Sequence, residues 1–301
     1  MTTQDRRLSF GIKTSQAGIG YEQIQRVWRE ADQIPVLEHA WLWDHTVPLR
    51  GEITGAALEA WTLLSALAAQ TSRLRLGVIV TSNRLRSPTL LAKMAATVDV
   101  IAAGRLVFGI GAGGSRVAVE NPAVREFEAY GIPLVSPGEA VRDLAQTCEI
   151  ARRMWTEDKP FDYDGASLQL RGAVCEPKPV QRPHPPIMIG GAGDRMLRVV
   201  AEHADIWNYP GAPSAEFRQR DQVLREHCAA IGRDSDEITR SMQTIVRCDD
   251  PAAPAATRAL LLEMIDAGVT HIVLAAMLGE RPVRWLADEI IEPVIAEVGS
   301  R

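Results

Sequence analysis

The strongest constraint on this chain is a regular alternation. Short runs rich in Val, Ile and Leu are each followed by a longer stretch whose apolar residues recur at helical spacing, the pattern of repeated βα units. Strands are predicted at 8–13 (LSFGIK), 37–45 (LEHAWLWDH), 74–82 (LRLGVIVTS), 104–114 (GRLVFGIGAGG), 186–191 (PIMIGG), 204–210 (ADIWNYP), 238–247 (ITRSMQTIVR) and 268–276 (GVTHIVLAA). Helices are predicted at 21–33, 56–71, 88–101, about 138–155, 194–203, 214–231, 253–266 and 283–297, with Pro88 at the favoured first position of its helix. Eight of each in strict order fit a closed (β/α)8 TIM barrel better than an open doubly wound sheet. A barrel of ~250 residues fits within the 301 present as one domain.

Two segments interrupt the pattern. Residues 115–137 carry Pro122, Pro133 and Pro137 and read as irregular. The stretch FDYDGASLQLRGA (161–173) turns at Asp164-Gly165 like a small hairpin, and the proline-rich EPKPVQRPHPP (176–186) follows it. Residues from about 157 to 186 therefore form an insertion on the barrel rim.

Composition excludes several classes of function. A net charge of -5 without a basic run argues against nucleic acid, and no apolar stretch approaches the ~20 residues that would span a membrane. The opening MTTQDRRLSFGIK lacks the apolar core of a secretory signal, so a cytoplasmic address is expected. Cys148, Cys175, Cys228 and Cys248 are widely spaced, and the six histidines form no HxH, so no metal site is expected.

In a barrel, chemistry sits at the C-terminal ends of the strands. Asp44-His45 is the acid and histidine pair found there. It suits general acid/base work or a hydrogen bond to a ring carbonyl. It also suits a capped strand end, which spacing alone slightly favours. Thr81-Ser82-Asn83 ends the third strand. The glycine string at 109–114, with Gly111 and Gly113, lacks the helix and distant acid of a dinucleotide fingerprint. It reads as room for a planar ligand or as a tight turn. Gly190, Gly191, Ala192 and Gly193 lie between a strand and a helix carrying Arg195 and Arg198, which favours a phosphate site over an ordinary turn. Lys13 alone has the strand-end position of a Schiff-base lysine, and is expected to be satisfied by a neighbouring charge.

The order of these motifs resembles a known family. WDH at 43–45, the block at 74–113, EPKPVQRPHPPIMIGGAG at 176–193 and ADIWN at 204–208 are similar to the bacterial luciferase-like flavin and deazaflavin oxidoreductases. The likeness is greatest to the branch dependent on coenzyme F420, a deazaflavin. It implies a barrel, usually homodimeric, with the cofactor ring across the strand ends. It also implies a cis peptide at Ile79-Val80 beneath the ring, with Thr81 and Asn83 beside it, Asp44 and His45 at the ring edge, and a phosphate turn at Gly190 to Gly193. The implied reaction passes a hydride between the deazaflavin and an activated C=C, C=N or C=O bond of a small-molecule substrate. His45, oriented by Asp44, would handle the proton or the ring carbonyl. The alternatives are an FMN-dependent monooxygenase and a non-catalytic flavin-binding protein. Where relatives that oxidise sugar phosphates carry a glutamate and an aromatic, this chain has Gly114 and Leu49. Sugar phosphate oxidation is thus not implied, and an unusual substrate pocket is expected.

Overall fold

The computed structural model describes residues 7–49, 51–113, 122–211, 213–276 and 281–300. The apolar runs form parallel strands β1 (Ser9–Lys13), β2 (Leu37–Leu42), β3 (Arg75–Val78) with its continuation β4 (Thr81–Ser82), and β5 (Leu106–Gly111). An antiparallel hairpin of β6 (Phe161–Asp164) and β7 (Gln169–Ala173) follows, then β8 (Ile187–Gly190), β9 (Ile206–Tyr209), β10 (Thr239–Val246) and β11 (His271–Ala276). Neighbours run β3-β2-β1-β11-β10-β9-β8-β5, and β5 pairs back onto β3 and β4. The ring of eight strands is closed, as a (β/α)8 barrel requires.

Strand alternation sorts the side chains into two cores. Outward residues such as Phe10, Ile12, Leu42, Leu76, Phe108 and Ile189 are buried against the helices. Inside the ring, Trp41, Ile79, Val107, Met188 and Val273 form a separate apolar cluster. Trp41 occupies its middle. A Cβ on Gly77 would lie 2.7 Å from the indole, and one on Gly109 would strike the Val78 carbonyl. Below the indole the interior is polar: Trp41 Nε1 donates to His39 Nδ1 at 2.6 Å, and the His39 and His271 rings stack with centroids 3.9 Å apart.

The outer layer comprises α1 (Tyr21–Asp32), α2 (Ala60–Ala68), α3 (Pro88–Ile101), α4 (Pro122–Ala129), α5 (Pro137–Thr156), α6 (Asp194–His203), α7 (Ser214–Ala230), α8 (Ala253–Asp266), α9 (Arg284–Leu286) and α10 (Glu292–Gly299). Three differ from expectation. Helix α2 starts at residue 60, not 56, because Glu59 caps it by accepting from the Trp61 and Thr62 N–H groups. The last helix, expected to be continuous, is broken by a π turn at Ala287–Ile291. Pro293 cannot donate to the carbonyl of Glu289, and Arg258 Nη1 takes that carbonyl instead. Helix α4 lies in a segment expected to be irregular; its proline is at the first helical residue, where a missing N–H is tolerated.

The insertion spans residues 157–186, between α5 and β8. Asp99 on α3 holds its return segment: its carboxylate accepts from the N–H groups of Val180 (2.8 Å) and Gln181 (3.0 Å) and from Gln181 Nε2 (2.7 Å). No helix among the described residues is long and apolar enough to cross a membrane.

Two predictions follow from the barrel interior. Gly109→Ala should cost about 3 kcal/mol in urea unfolding, because its Cβ meets backbone and cannot be absorbed by a rotamer change. Burial holds both stacked imidazoles below their ordinary value, His271 at about 3. The unfolded chain takes up those protons near 6.5 while the folded chain does not. Stability should therefore fall as pH drops from 6.5 towards 5, by about 1.4 kcal/mol per pH unit for each buried histidine. In His271→Gln the slope should be shallower by one such contribution.

Candidate functional site

The C-terminal end of β2 is extended by side chains where the ladder stops. Gln16 replaces a strand partner, its Oε1 accepting from the Trp43 N–H at 3.3 Å and its Nε2 donating to the Trp43 carbonyl. Asp44 and His45 follow, and they do not pair with each other. Asp44, only 4% exposed, accepts a bidentate pair from Arg86 (2.8 and 2.9 Å) and the Ser82 N–H (2.8 Å). Arg86 also engages Glu59, the cap of α2. Burial pushes the Asp44 carboxyl up, and the Arg86 and Ser82 contacts offset only part of that. Asp44 thus ties the ends of β2 and β4 to the starts of α2 and α3. The expectation that it orients His45 is corrected.

Glu126 on α4 has that place. His45 Nδ1 lies 2.8 Å from Glu126 Oε2, and the Thr46 hydroxyl donates to Oε1 at 2.9 Å, as does the Thr46 N–H. The Glu126 side chain is 1% exposed, whereas His45 is 27% exposed. Burial alone would raise the Glu126 carboxyl, but the bonds from His45 and Thr46 outweigh it and hold the group below its ordinary value. With Nδ1 turned to a carboxylate, Nε2 is the ring atom left for a ligand.

The peptide between Ile79 and Val80 is cis, at the bond the resemblance indicated. Val80 projects at the mouth, and a Cβ on Gly111 or Gly190 would lie 2.7 or 2.9 Å from its methyl groups. These glycines make room for a valine of the protein itself, not directly for a ligand. Val80 then presents an apolar surface. Thr81 Oγ1 and Asn83 Oδ1, at the end of β4, are buried with no hydrogen-bond partner among the described residues, as is Trp43 Nε1 beside His45. Orphaned polar atoms around an apolar wall fit a flat, heteroatom-rich ligand.

At β8, the Gly191 carbonyl accepts from Trp207 Nε1 at 2.7 Å, and Ala192 packs half-buried on the outer core. Gly193 is the N-cap of α6 with no side-chain cap, and among the described residues nothing apart from its chain neighbours lies within 4 Å of where its Cβ would be. The first N–H groups of α6 have the geometry of an anion site, although Asp194 occupies its first turn. Gly113 has φ +79°, and a Cβ there would meet Ser82 Oγ at 2.6 Å. Leu49 is half-buried on the loop after His45, and Gly114 lies outside the described residues.

Lys13 ends β1 facing the interior. Its Nζ donates to Gln243 Oε1 on β10 at 2.8 Å, so its partner is a neutral amide and not the expected charge. Burial pushes the Lys13 ammonium down to about 8. Sequence reading missed Glu126, Arg86 and Gln243. Arg86 stood two residues before a clear helix start; Glu126 and Gln243 carried no local signal.

The model of the luciferase-like monooxygenase family matches residues 8–292. This chain belongs to the luciferase-like family. It is 32% identical over 200 residues to a phthiodiolone/phenolphthiodiolone dimycocerosates ketoreductase of Mycobacterium sp. (strain JLS), covering 64% of this chain and 48% of that one. The chain spans about half the length of the curated relatives it matches. Among solved structures it is similar to the coenzyme F420-dependent tetrahydromethanopterin reductase of Methanopyrus kandleri (TM-score 0.79, 18% identity, 96% of this chain and 99% of that one). A riboflavin lyase structure with modified FMN is similar too (TM-score 0.77, 15% identity, 98% and 92%). These last two likenesses establish the shared barrel.

Glu126→Ala should lower stability by about 2 kcal/mol, because it strips the acceptor from Thr46 and His45 in a buried place. Glu126→Gln should cost less. Nitrogen-15 NMR should find the neutral His45 ring protonated on Nδ1 in the parent and on both nitrogens in exchange in Glu126→Ala; an unchanged tautomer would refute the role given to Glu126.

Proposed function

We propose that this protein is an F420-dependent oxidoreductase that transfers a hydride between the deazaflavin and an activated C=C, C=N or C=O bond of a small organic substrate. The observation that carries this reading is a set of buried polar atoms at the strand ends, Thr81 Oγ1, Asn83 Oδ1 and Trp43 Nε1, unpartnered among the described residues, together with the apolar surface of Val80. When bound there, the deazaflavin supplies the hydride chemistry. The chain's own residues bind, orient and move protons. Val80 supports one face of the ring, and Thr81 and Asn83 hydrogen-bond its polar edge. His45, held through Nδ1 by Glu126, offers Nε2 to a ring carbonyl. The uncapped N–H groups after Gly193 receive the phosphate of the cofactor side chain. Asp44 keeps the β2 and β4 ends in register, so that His45 and Val80 face the same ligand.

The F420-dependent neighbour, matched over 99% of its length, favours a deazaflavin. The neighbour carrying modified FMN supports the second reading, an FMN-dependent monooxygenase, since the phosphate turn serves either ring. The homodimer belongs to the same proposal: Leu90, Val100 and Ile101 on α3 and Val180 on the insertion are exposed apolar side chains that a second copy would cover.

Absorbance and fluorescence titrations with F420 and with FMN separate the readings. Micromolar or tighter binding of F420, with FMN at least tenfold weaker, is expected; saturable binding of FMN alone rejects the deazaflavin. His45→Ala should reduce turnover about 100-fold with little change in unfolding midpoint, because a partly exposed strand-end residue contributes little core. Full activity in that variant would remove His45 from the mechanism.

A further inference from the structure

The mouth of the barrel has two unlike halves. On the side of β3, β5 and β8 it is the apolar wall of Val80 set between Gly111 and Gly190. On the side of β1, β9 and β10 it is a line of polar groups. Lys13 Nζ donates to Gln243 Oε1; Gln243 Nε2 donates to Asn208 Oδ1 at 3.3 Å; Asn208 Nδ2 donates to Ser241 Oγ at 3.0 Å. Ser241 Oγ in turn lies 2.9 Å from His271 Nδ1. Each amide is fixed by the group below it, so Gln243 presents its oxygen, and not its NH2, to Lys13.

An ammonium has three N–H donors. Among the described residues the Lys13 ammonium has one hydrogen-bond partner, and that partner is uncharged. A half-buried lysine so placed has two donors to direct at whatever enters the mouth. A ligand lying between the two halves meets carbon-lined wall on one side and a positive, protonated nitrogen on the other.

We propose that Lys13 is the proton donor to a carbonyl substrate, so that the preferred substrate class of this enzyme is ketones. The inference rests on the oxidoreductase reading above. As the hydride from the reduced ring adds to the carbonyl carbon, the C=O π pair moves to oxygen, and Lys13 Nζ transfers a proton to that oxygen. The products are a secondary alcohol, an oxidised ring and a neutral amine, which solvent reprotonates. His45 keeps its place on the ring edge.

The pH response of this step belongs to Lys13. Its register neighbours, Trp41 on β2 and Ala275 on β11, are uncharged, and Gln243 and Asn208 are amides. His271 below them is held neutral by burial. Among the described residues, Asp44 is paired with Arg86 and His45 with Glu126, and Arg247, just past β10, is exposed. Because its ammonium loses its proton near 8, donation should fail as pH rises through that value.

The chain has four lysines, Lys13, Lys93, Lys159 and Lys178, which makes a direct test practical. After reductive methylation with carbon-13 formaldehyde, one lysine dimethylamine resonance of the cofactor-free protein, besides that of the N-terminal amine, should titrate near 8, and Lys13→Arg should lack it. In anaerobic assays with reduced F420 and methyl ketones of three to twelve carbons, kcat/KM should fall above about pH 8. Lys13→Met should lose about 100-fold in kcat without weakening F420 binding, and Lys13→Arg should lose the basic limb of the profile. A Lys13 resonance that titrates with the other lysines, a Lys13→Met enzyme with normal kcat, or a parent enzyme that reduces none of the ketones would each overturn the assignment. If the protein takes FMN and not F420, the deazaflavin reading falls while the amine titration still judges Lys13.

Discussion

A closed ring of eight parallel strands encloses a space of limited width, and here a single indole fills its middle. Trp41 sets what every neighbouring strand can carry. Position 77 on β3 and position 109 on β5 have no side chain because the ring and the adjoining backbone occupy that volume. The indole N–H, which cannot be left unpaired in an apolar cluster, turns downward to His39 and thereby commits the floor of the barrel to polar residues. The stacked histidines stay neutral for the same reason. Above the indole, the remaining interior positions are free to carry the mouth. The strand ends at the mouth therefore rest on a packed layer and not on a pore.

Two adjacent residues at the end of β2 illustrate how the scaffold and the site divide their tasks. Asp44 is consumed by a buried ion pair and a backbone bond, so its contribution is to position. Removing Arg86 would leave the buried Asp44 carboxylate without its ion-pair partner, which is far costlier than losing an exposed bridge. His45, one residue on, is oriented from outside the ring by Glu126 on α4. The carboxylate that serves the histidine thus arrives from a segment 81 residues distant in sequence, carried on a helix that belongs to no regular βα unit.

Much of the architecture was legible in the sequence because it depends on periodicity. All eight barrel strands lie within the predicted runs, and the hairpin and the insertion fall where the alternation fails. The second predicted strand runs three residues past the end of β2, since composition does not reveal where a side chain such as Gln16 takes over from the ladder. At the strand ends, two roles were misread. An acid beside a histidine suggests a pair, yet neighbours on an extended chain point to different surroundings. Glycines at 111 and 190 suggest space for a ligand, yet Val80 fills it. Glu126 and Gln243 were out of reach, because their partners come from distant elements that no local pattern brings together.

The hairpin insertion departs after α5 and rejoins at β8, so both of its anchors lie on the face opposite the mouth. From there it climbs: Ser167 Oγ near its tip bonds Asp143 Oδ1 on α5 at 2.7 Å, and Asp143 bridges to Arg84 just beyond β4. Asp99 clamps the return segment where β5 begins. An element mounted this way can lengthen, shorten or exchange its tip during divergence without displacing one strand end. The outer contour of the entrance can change through the tip while the strand ends inherit an unaltered foundation.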